Sequence, residues 1–366
     1  MDANSRGVGA SARHPAVTVT PRGSDRRTPR PPTYDAWIRP DSSTSRRRRL
    51  TATTWLLSVV VLVAACTSTD SPAPSTADPP RFDTATLVAA AASPAAVIAE
   101  ADGSVLYAER LTGAVRRVDP DGVLIDQPVA TVATRATDSD QRGLLGLQRD
   151  QTGRLFAAWT RADDGRLVVG ELDADRAPRL IWEGPTSADL ANGGHLGLLP
   201  GGELLIGIGD LLQPAELADD VDLPNRKLLA LDPDGLANQT PRIVSSGWNN
   251  PFGFVVAPDG TIWVADNTGG DGPERIGRGD RPAAEATPLD PNGDAGPLAP
   301  SALVALDDGT LGLCSFLRNE LLEVDVARDV PALTGTVLAS GCATGAARLP
   351  DGRIVMSGTD ALLLSG

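Results

Sequence analysis

The sequence predicts an all-β fold, a six-bladed β-propeller of four-stranded antiparallel blades. Two observations support this prediction. A short apolar run, a tight turn and an alternating apolar strand follow one another six times after about residue 85. No helix-like stretch of useful length interrupts these repeats. A unit that cannot bury its apolar face alone must stack on its neighbours, and strand-only units of this size stack as propeller blades.

Each copy of the repeat is centred on a turn glycine. These glycines are Gly103, Gly153, Gly202, Gly260, Gly309 and Gly352, at spacings of 50, 49, 58, 49 and 43 residues. Glycine adopts the positive φ that tight hairpin turns require, and the alternation after the turn places every second side chain in a core. Further strands are predicted within residues 113–119, 166–172, 227–232 and 320–325. The six copies leave no sequence for a seventh blade.

The chain before the repeats divides into three segments. Residues 1–45 are rich in Arg, Pro, Ser and Thr, a composition that buries too little apolar surface to fold, so we predict a disordered basic extension. Residues 46–65 carry four arginines and then an apolar run. This run is shorter than the roughly 20 residues that a bilayer-spanning helix needs, which predicts a secretory signal. Residues 66–82 form a Ser/Thr/Pro-rich tether, and the predicted propeller occupies residues 83–366.

The end of the signal segment, Val63-Ala64-Ala65-Cys66, resembles the lipobox at which bacterial lipoproteins are cleaved. The resemblance implies cleavage before Cys66, lipid on its sulfur, and an exported protein anchored on the extracytoplasmic face of the cell membrane. An ordinary signal peptide and an uncleaved anchor stay open as alternatives. Sec and twin-arginine export, and the true translation start, also stay open.

Charge is divided unevenly along the chain. Residues 1–65 contain eleven Arg and four Asp, a net charge of +7, whereas the whole chain has −14, so residues 66–366 have −21. A body this acidic repels nucleic acids and anionic lipid headgroups. We therefore expect no nucleic-acid partner, and contact with the membrane only through lipid on Cys66. A monomer that takes a small-molecule or carbohydrate ligand is the expected state.

Five segments of the repeat region share the pattern of one known family. In chain order they are residues 141–147 (QRGLLGL), 191–196 (ANGGHL) with 209–210 (GD), 249–254 (NNPFGF), 271–276 (DGPERI) and 299–303 (APSAL). These segments resemble the glucose/sorbosone dehydrogenases, six-bladed propellers of the soluble PQQ-dependent glucose dehydrogenase type. The resemblance covers nearly all of residues 85–366. It implies oxidation of a sugar or related alcohol, with PQQ and calcium as cofactors.

The resemblance weakens at the residues that perform the chemistry. In the family, a His removes a proton from the sugar hydroxyl while hydride passes to the quinone. That His position holds Ala191 here, and the position of the following Arg holds His195. Asn249 replaces a cofactor-contacting Arg, and Phe252 replaces a Gln. Because PQQ is a tricarboxylate, a site without cationic partners binds it poorly.

His195 is the candidate catalytic base, and a strand-end histidine without chemistry is the alternative. Arg226 and Lys227 can replace the missing positive charge only if residues 219–225 fold over the channel. The candidate cofactor- or ligand-binding residues, which the motifs place at the channel mouth, are Gln141, Asn192, Asn249 and Asn250. Capping of strand ends is the alternative role for these polar side chains.

Two further sets of residues are candidates for a metal site and a covalent link. Asp266, Asp271 and Glu274 flank a glycine-rich loop whose oxygen atoms can bind calcium, although such residues are also ordinary in surface turns. Cys314 and Cys342 are the only thiols after Cys66. In an oxidising compartment they are expected to form a disulfide between the fifth blade and the segment entering the sixth, with two buried free thiols as the alternative.

Two functions therefore stay open. In the first, the chain oxidises a sugar or related alcohol with PQQ, using rearranged residues around Gln141, His195 and Asn250. In the second, a propeller that has lost its chemistry binds a glycan, small ligand or protein at the channel mouth, which better explains Ala191, Asn249 and Phe252. A lactonase-type propeller is a third reading, and it needs a carboxylate-lined metal on the axis. No Ser-His-Asp signature, phosphate loop or zinc spacing appears in the sequence.

Overall fold

The computed structural model describes residues 80–366 except 215, 218, 219, 270, 271, 307 and 308. The predicted N-terminal extension, the signal segment, Cys66 and the tether up to residue 79 lie outside the described residues. Within the described residues, no helix has the length and apolar character needed to cross a membrane.

The described residues form 24 strands in six four-stranded antiparallel sheets, which confirms the predicted six-bladed propeller. The first strand is β1 (Thr84–Val88). Blade one contains β2 (Pro94–Ala99), β3 (Val105–Glu109), β4 (Ala114–Val118) and β5 (Ala130–Thr131). Blade two contains β6 (Leu144–Arg149), β7 (Leu155–Thr160), β8 (Arg166–Asp173) and β9 (Arg176–Thr186). Blade three contains β10 (Gly193–Leu198), β11 (Leu204–Ile208), β12 (Lys227–Leu231) and β13 (Arg242–Ser246).

The remaining three blades repeat this order. Blade four contains β14 (Gly253–Val256), β15 (Ile262–Asp266), β16 (Arg275–Arg278) and β17 (Thr287–Pro288), with a 3-10 turn at Ala283–Glu285. Blade five contains β18 (Pro300–Ala305), β19 (Thr310–Ser315), β20 (Glu320–Asp325) and β21 (Ala332–Ser340). Blade six contains β22 (Gly345–Arg348), β23 (Ile354–Ser357), β24 (Leu362–Ser365) and the N-terminal strand β1.

The six predicted turn glycines all lie in the hairpin between the first and second strands of a blade. Their φ values fall between 77° and 90°, the left-handed region that glycine adopts without strain. The predicted further strands are the third strands of blades one, two, three and five. The repeat read from the sequence is therefore the inner hairpin of each blade, followed in these four blades by the third strand.

The first strands of the six blades contact one another in sequence and form a ring around the axis. The propeller is closed by β1, which precedes the first blade in the chain but pairs with β24 as the outermost strand of blade six. At this junction the N–H of Gly366 donates a hydrogen bond to the carbonyl oxygen of Asp83 at 2.7 Å. The turn repeats alone do not predict this closure.

Six apolar cores occupy the spaces between neighbouring blades. The core between blades two and three, for example, contains Phe156, Ile181, Ile206 and Leu229, all at most 2% exposed. Burial of side chains of this size stabilises the fold by about 1.5–3 kcal/mol each. The core between blades five and six contains Cys314 and Cys342, which are joined in a disulfide with Cα atoms 5.0 Å apart. The bridge links β19 to the segment that leads into β22.

Candidate functional site

In each blade the first strand begins where the second strand ends, because the two are antiparallel. This edge of blades two to four collects polar residues, and we call it the polar edge. Its members are Gln141, Asn192, Asp210, Asn249, Asn250 and Asp266. The structure therefore brings the four predicted ligand-binding residues to one edge of three consecutive blades.

Gln141 and Asn192 join blade two to blade three. The Oε1 atom of Gln141 accepts a hydrogen bond from the N–H of Ala191 at 2.7 Å, and Nδ2 of Asn192 donates to the carbonyl oxygen of Gln141 at 3.3 Å. The Asn192 amide also closes a turn on Ala188, with Oδ1 accepting its N–H at 2.8 Å and Nδ2 donating to its carbonyl at 2.9 Å. Asn192 is 1% exposed, and its amide holds the backbone of this turn through these hydrogen bonds.

The Asp266 carboxylate fixes the corner before β14. Its Oδ1 accepts the N–H groups of Asn249 and Asn250 at 2.9 and 2.8 Å, and its Oδ2 accepts the Asn249 N–H at 2.9 Å. Oδ2 also accepts a hydrogen bond from the guanidinium of Arg275. Asp266 is fully buried, so this charged network sets the positions of both asparagines.

The two asparagines then connect blade four to blade three. Oδ1 of Asn250 accepts the N–H of Gly193 at 3.1 Å, and Nδ2 of Asn249 donates to Oδ2 of Asp210 at 3.1 Å. Within the described residues, Nε2 of Gln141 and Nδ2 of Asn250 make no hydrogen bond. Gln141 is an exposed residue, and Nδ2 of Asn250 is not sealed in the protein. These two amide groups are donors that an oxygen-bearing ligand can use.

The basic side chains along the described part of this edge are engaged by protein groups. Arg275 pairs with Asp266, and Nη1 of Arg226 lies 3.7 Å from Oδ2 of Asp210. Nζ of Lys227, which is 1% exposed, donates to the carbonyl oxygens of Asp220 and Asn225 at 2.9 and 3.2 Å. The two arginines thus balance the carboxylates of Asp210 and Asp266, and the Lys227 ammonium lies buried against carbonyl oxygens. The three carboxylates of a PQQ molecule do not fit this arrangement.

His195 lies on β10, half-buried against the next blade. Its ring meets that of Phe254 edge-on with centroids 4.8 Å apart, and the ring of Phe252 lies 5.8 Å away. Burial lowers the pKa of His195 from 6.5 to about 4. The imidazole is therefore neutral at physiological pH. Its Nδ1 is buried and makes no hydrogen bond.

The candidate calcium ligands are used differently in the structure. Asp266 is paired with Arg275, and Oε2 of Glu274 accepts the N–H of Thr268 at 2.8 Å. Burial, with a further contribution from the nearby Asp266 charge, raises the pKa of Glu274 to about 7. Asp271 lies outside the described residues. Among those that are described, no three His, Cys, Asp or Glu side chains cluster as a metal site, and a guanidinium on Asp266 does not fit calcium.

Strained backbone surrounds the position where the family pattern places its base. Ala191, Leu211, Leu212 and Arg226 all have left-handed φ values of 54–60° although none is glycine. Each such residue costs about 1 kcal/mol or more. The N–H of Leu211 donates to the carbonyl of Ala191 at 3.1 Å, so two of these residues hold each other. Sequence reasoning missed this feature and the pairing of Arg275, since neither has a local signal.

Fold and site together define a six-bladed β-propeller whose polar edge is built from amides and charge-neutral ion pairs. Residues 91–280 match the family model described as Glucose / Sorbosone dehydrogenase. This match spans more than half of the chain, so the protein belongs to the glucose/sorbosone dehydrogenase family. The resemblance read from the sequence motifs is thereby confirmed. A comparison with curated protein sequences finds no match.

Several solved structures share the fold. A protein described as an oxidoreductase (glucose dehydrogenase) from Thermus thermophilus is 22% identical, with a TM-score of 0.63, over 78% of this chain and 100% of that chain. The PQQ-bound aldose sugar dehydrogenase of Streptomyces coelicolor is 19% identical, with a TM-score of 0.59, over 78% and 98%. The apo form of the soluble aldose sugar dehydrogenase of Escherichia coli is 18% identical, with a TM-score of 0.61, over 78% and 99%. At these identities the likeness concerns the fold.

Proposed function

We propose that this chain is a ligand-binding member of its family, which takes a neutral hydroxylated molecule such as a sugar at the polar edge and does not oxidise it with PQQ. The observation that supports this most directly is the charge-neutral pairing of Arg226 and Arg275 with Asp210 and Asp266. A trianionic cofactor would have to break these pairs or be desolvated without cationic partners. A neutral sugar requires neither.

The lack of a suitable general base supports the same proposal. Ala191 stands at the family's base position and cannot accept a proton. A general base works best when its pKa lies near the operating pH, and the pKa of His195 is lowered to about 4. At neutral pH the His195 imidazole is therefore a weak proton acceptor. The free amide donors of Gln141 and Asn250 suit hydroxyl oxygens, so binding is better supported than oxidation.

PQQ-dependent oxidation of a sugar or related alcohol is the second candidate. Family membership favours it, as does the likeness in fold to a PQQ-bound aldose sugar dehydrogenase. In that case Gln141, His195 and Asn250 would contact substrate or cofactor.

The two candidates are separated by titrating the purified protein with PQQ and calcium, and by assaying dye reduction with a panel of aldoses. We expect no PQQ binding at micromolar concentration and no dye reduction, while calorimetry detects a sugar. Tight PQQ binding with sugar-dependent dye reduction would overturn the proposal. In that event the His195→Ala variant tests whether His195 is the general base, and unchanged turnover would exclude that role.

We further propose that the protein is exported and held at the membrane by lipid on Cys66, as a monomer, on the basis of the lipobox-like Val63-Ala64-Ala65-Cys66. Replacement Cys66→Ala is expected to release the protein from the membrane fraction. Membrane retention of the variant would contradict lipid anchoring. Sedimentation of the released variant tests the monomer.

A further inference from the structure

The two nitrogens of the His195 ring have different surroundings. Nδ1 is buried and lacks a hydrogen-bond partner. Nε2 is not sealed in this way, although the ring makes no hydrogen bond or ion pair with any described residue. The ring thus hides Nδ1, whereas Nε2 keeps some access to solvent. Nothing charged contributes to the low pKa of His195, whose cause is burial alone.

These surroundings determine which nitrogen carries the proton. A neutral imidazole has one N–H donor and one lone pair. A buried N–H without an acceptor is costly, and such orphaned donors are rarer in proteins than under-satisfied acceptors. Placing the proton on Nε2 leaves only a lone pair at the buried Nδ1. The Nε2–H, which is not sealed in the protein, can then donate to a ligand.

The ring of Phe252 provides a second surface beside this donor. Phe252 is half-buried, directly precedes β14, and its ring is tilted by 56° to the imidazole. Phe252 also packs against the core between blades two and three. A hydrogen-bond donor beside a partly exposed aromatic ring suits a sugar ring, which has oxygen acceptors at its edge and C–H groups on its faces.

We propose that His195 is a neutral hydrogen-bond donor through Nε2–H, and that His195 and Phe252 form a subsite for a pyranose-type ring. This assignment rests on the proposed binding function, which it makes specific. It gives His195 the role of a recognition residue in place of a base. The neighbouring Phe254 ring, 4.8 Å away and 1% exposed, holds the imidazole in place.

The tautomer is measured by nitrogen-15 NMR of the histidine-labelled protein. The chain contains two histidines, and a His195→Gln variant assigns the signals of His195. We expect the Nε2–H tautomer, unchanged from about pH 8 down to about pH 5, given a pKa of about 4. An Nδ1–H tautomer overturns the donor assignment, as does titration near pH 6.5.

The subsite is tested with D-glucose, D-galactose and D-mannose as probes, by calorimetry and by the shift of the Nε2 signal. His195→Gln keeps an amide donor and should bind a responding sugar nearly as well as the unmodified protein. His195→Phe removes the donor and should weaken binding about fivefold, the effect of one hydrogen bond, and Phe252→Leu should weaken it similarly. Gln148→Leu, at a half-buried position on the first strand of blade two, is the control and should change nothing.

The outcomes separate this proposal from the proposed function. Sugar binding that is indifferent to every His195 and Phe252 variant overturns the subsite and leaves binding elsewhere on the propeller intact. Absence of any sugar binding overturns both. An equal loss in His195→Gln and His195→Phe shows that the ring acts only by packing, and this also overturns the donor role.

Discussion

The Asp266→Asn substitution tests the network that shapes the polar edge. In the native protein the fully buried carboxylate accepts two backbone N–H groups and the guanidinium of Arg275. Asparagine has nearly the same shape but replaces one acceptor oxygen by an NH₂ group. That NH₂ must face either a backbone N–H or the guanidinium, and in both cases two donors meet.

The expected loss of stability follows from these contacts. Arg275 is left without its anionic partner while its side chain is 24% exposed, and its remaining bonds are to the carbonyls of Ala283 and Gly247, both at 3.3 Å. Breaking a buried ion pair by neutralising one member costs about 3–5 kcal/mol. We expect a decrease of this size in the free energy of unfolding.

Urea unfolding followed by tryptophan fluorescence measures this change, with Asp121→Asn as the control. Asp121 is exposed, so its substitution should alter stability by less than about 0.5 kcal/mol. A double variant that adds Arg275→Met removes the unpaired charge and should recover at least about 1 kcal/mol. A loss below about 1 kcal/mol in Asp266→Asn, or no recovery in the double variant, would refute this account of the corner.

Three further predictions concern other parts of the fold. Burial raises the pKa of Glu274 from 4.5 to about 7, so the folded protein holds this proton more tightly than the unfolded chain does. The free energy of unfolding should therefore fall as pH rises through that range. Urea unfolding at about pH 5 and pH 8 measures this fall, and the Glu274→Gln variant should not show it. Replacing Cys314 and Cys342 by alanine opens a link across 28 residues and should cost about 3.5 kcal/mol, whereas an equally stable variant would show that the bridge is dispensable. Gly209→Ala brings a Cβ against the carbonyl oxygen of Ala191 and should cost about 3 kcal/mol in thermal unfolding, while Gly201→Ala, with open space around its Cβ, should be nearly neutral.

The fold could be predicted because its signals are local. Each turn glycine and the alternation after it lie within one hairpin, so positions such as Gly103 and Gly352 indicate the inner strands directly. Closure by β1 has no such signal, because its partner β24 lies at the other end of the chain. The outer strands β5 and β17 have two residues each and are too short to show alternation.

The candidate site was only partly predictable, because its chemistry depends on register. Asp266 was a candidate calcium ligand by composition, yet it faces Arg275 across the hairpin of β15 and β16. The loop between these strands is too long to fix that register from sequence. The motifs located His195, but its aromatic neighbours come from the next blade, more than 50 residues further along the chain. Gln141 contacts Ala191 across a similar separation.

The pairing of β1 with β24 makes the propeller a topological circle with one non-covalent junction. Residues 83 and 366 meet there through a backbone hydrogen bond. The chain could therefore begin at a different blade while the arrangement of the blades in space stays the same. A circular permutant that links these two residues and opens a hairpin elsewhere would keep every sheet. During folding, the last sheet cannot be completed until the most distant strands of the chain have met. The six interfaces are therefore expected to consolidate with the slow, cooperative kinetics of high contact order.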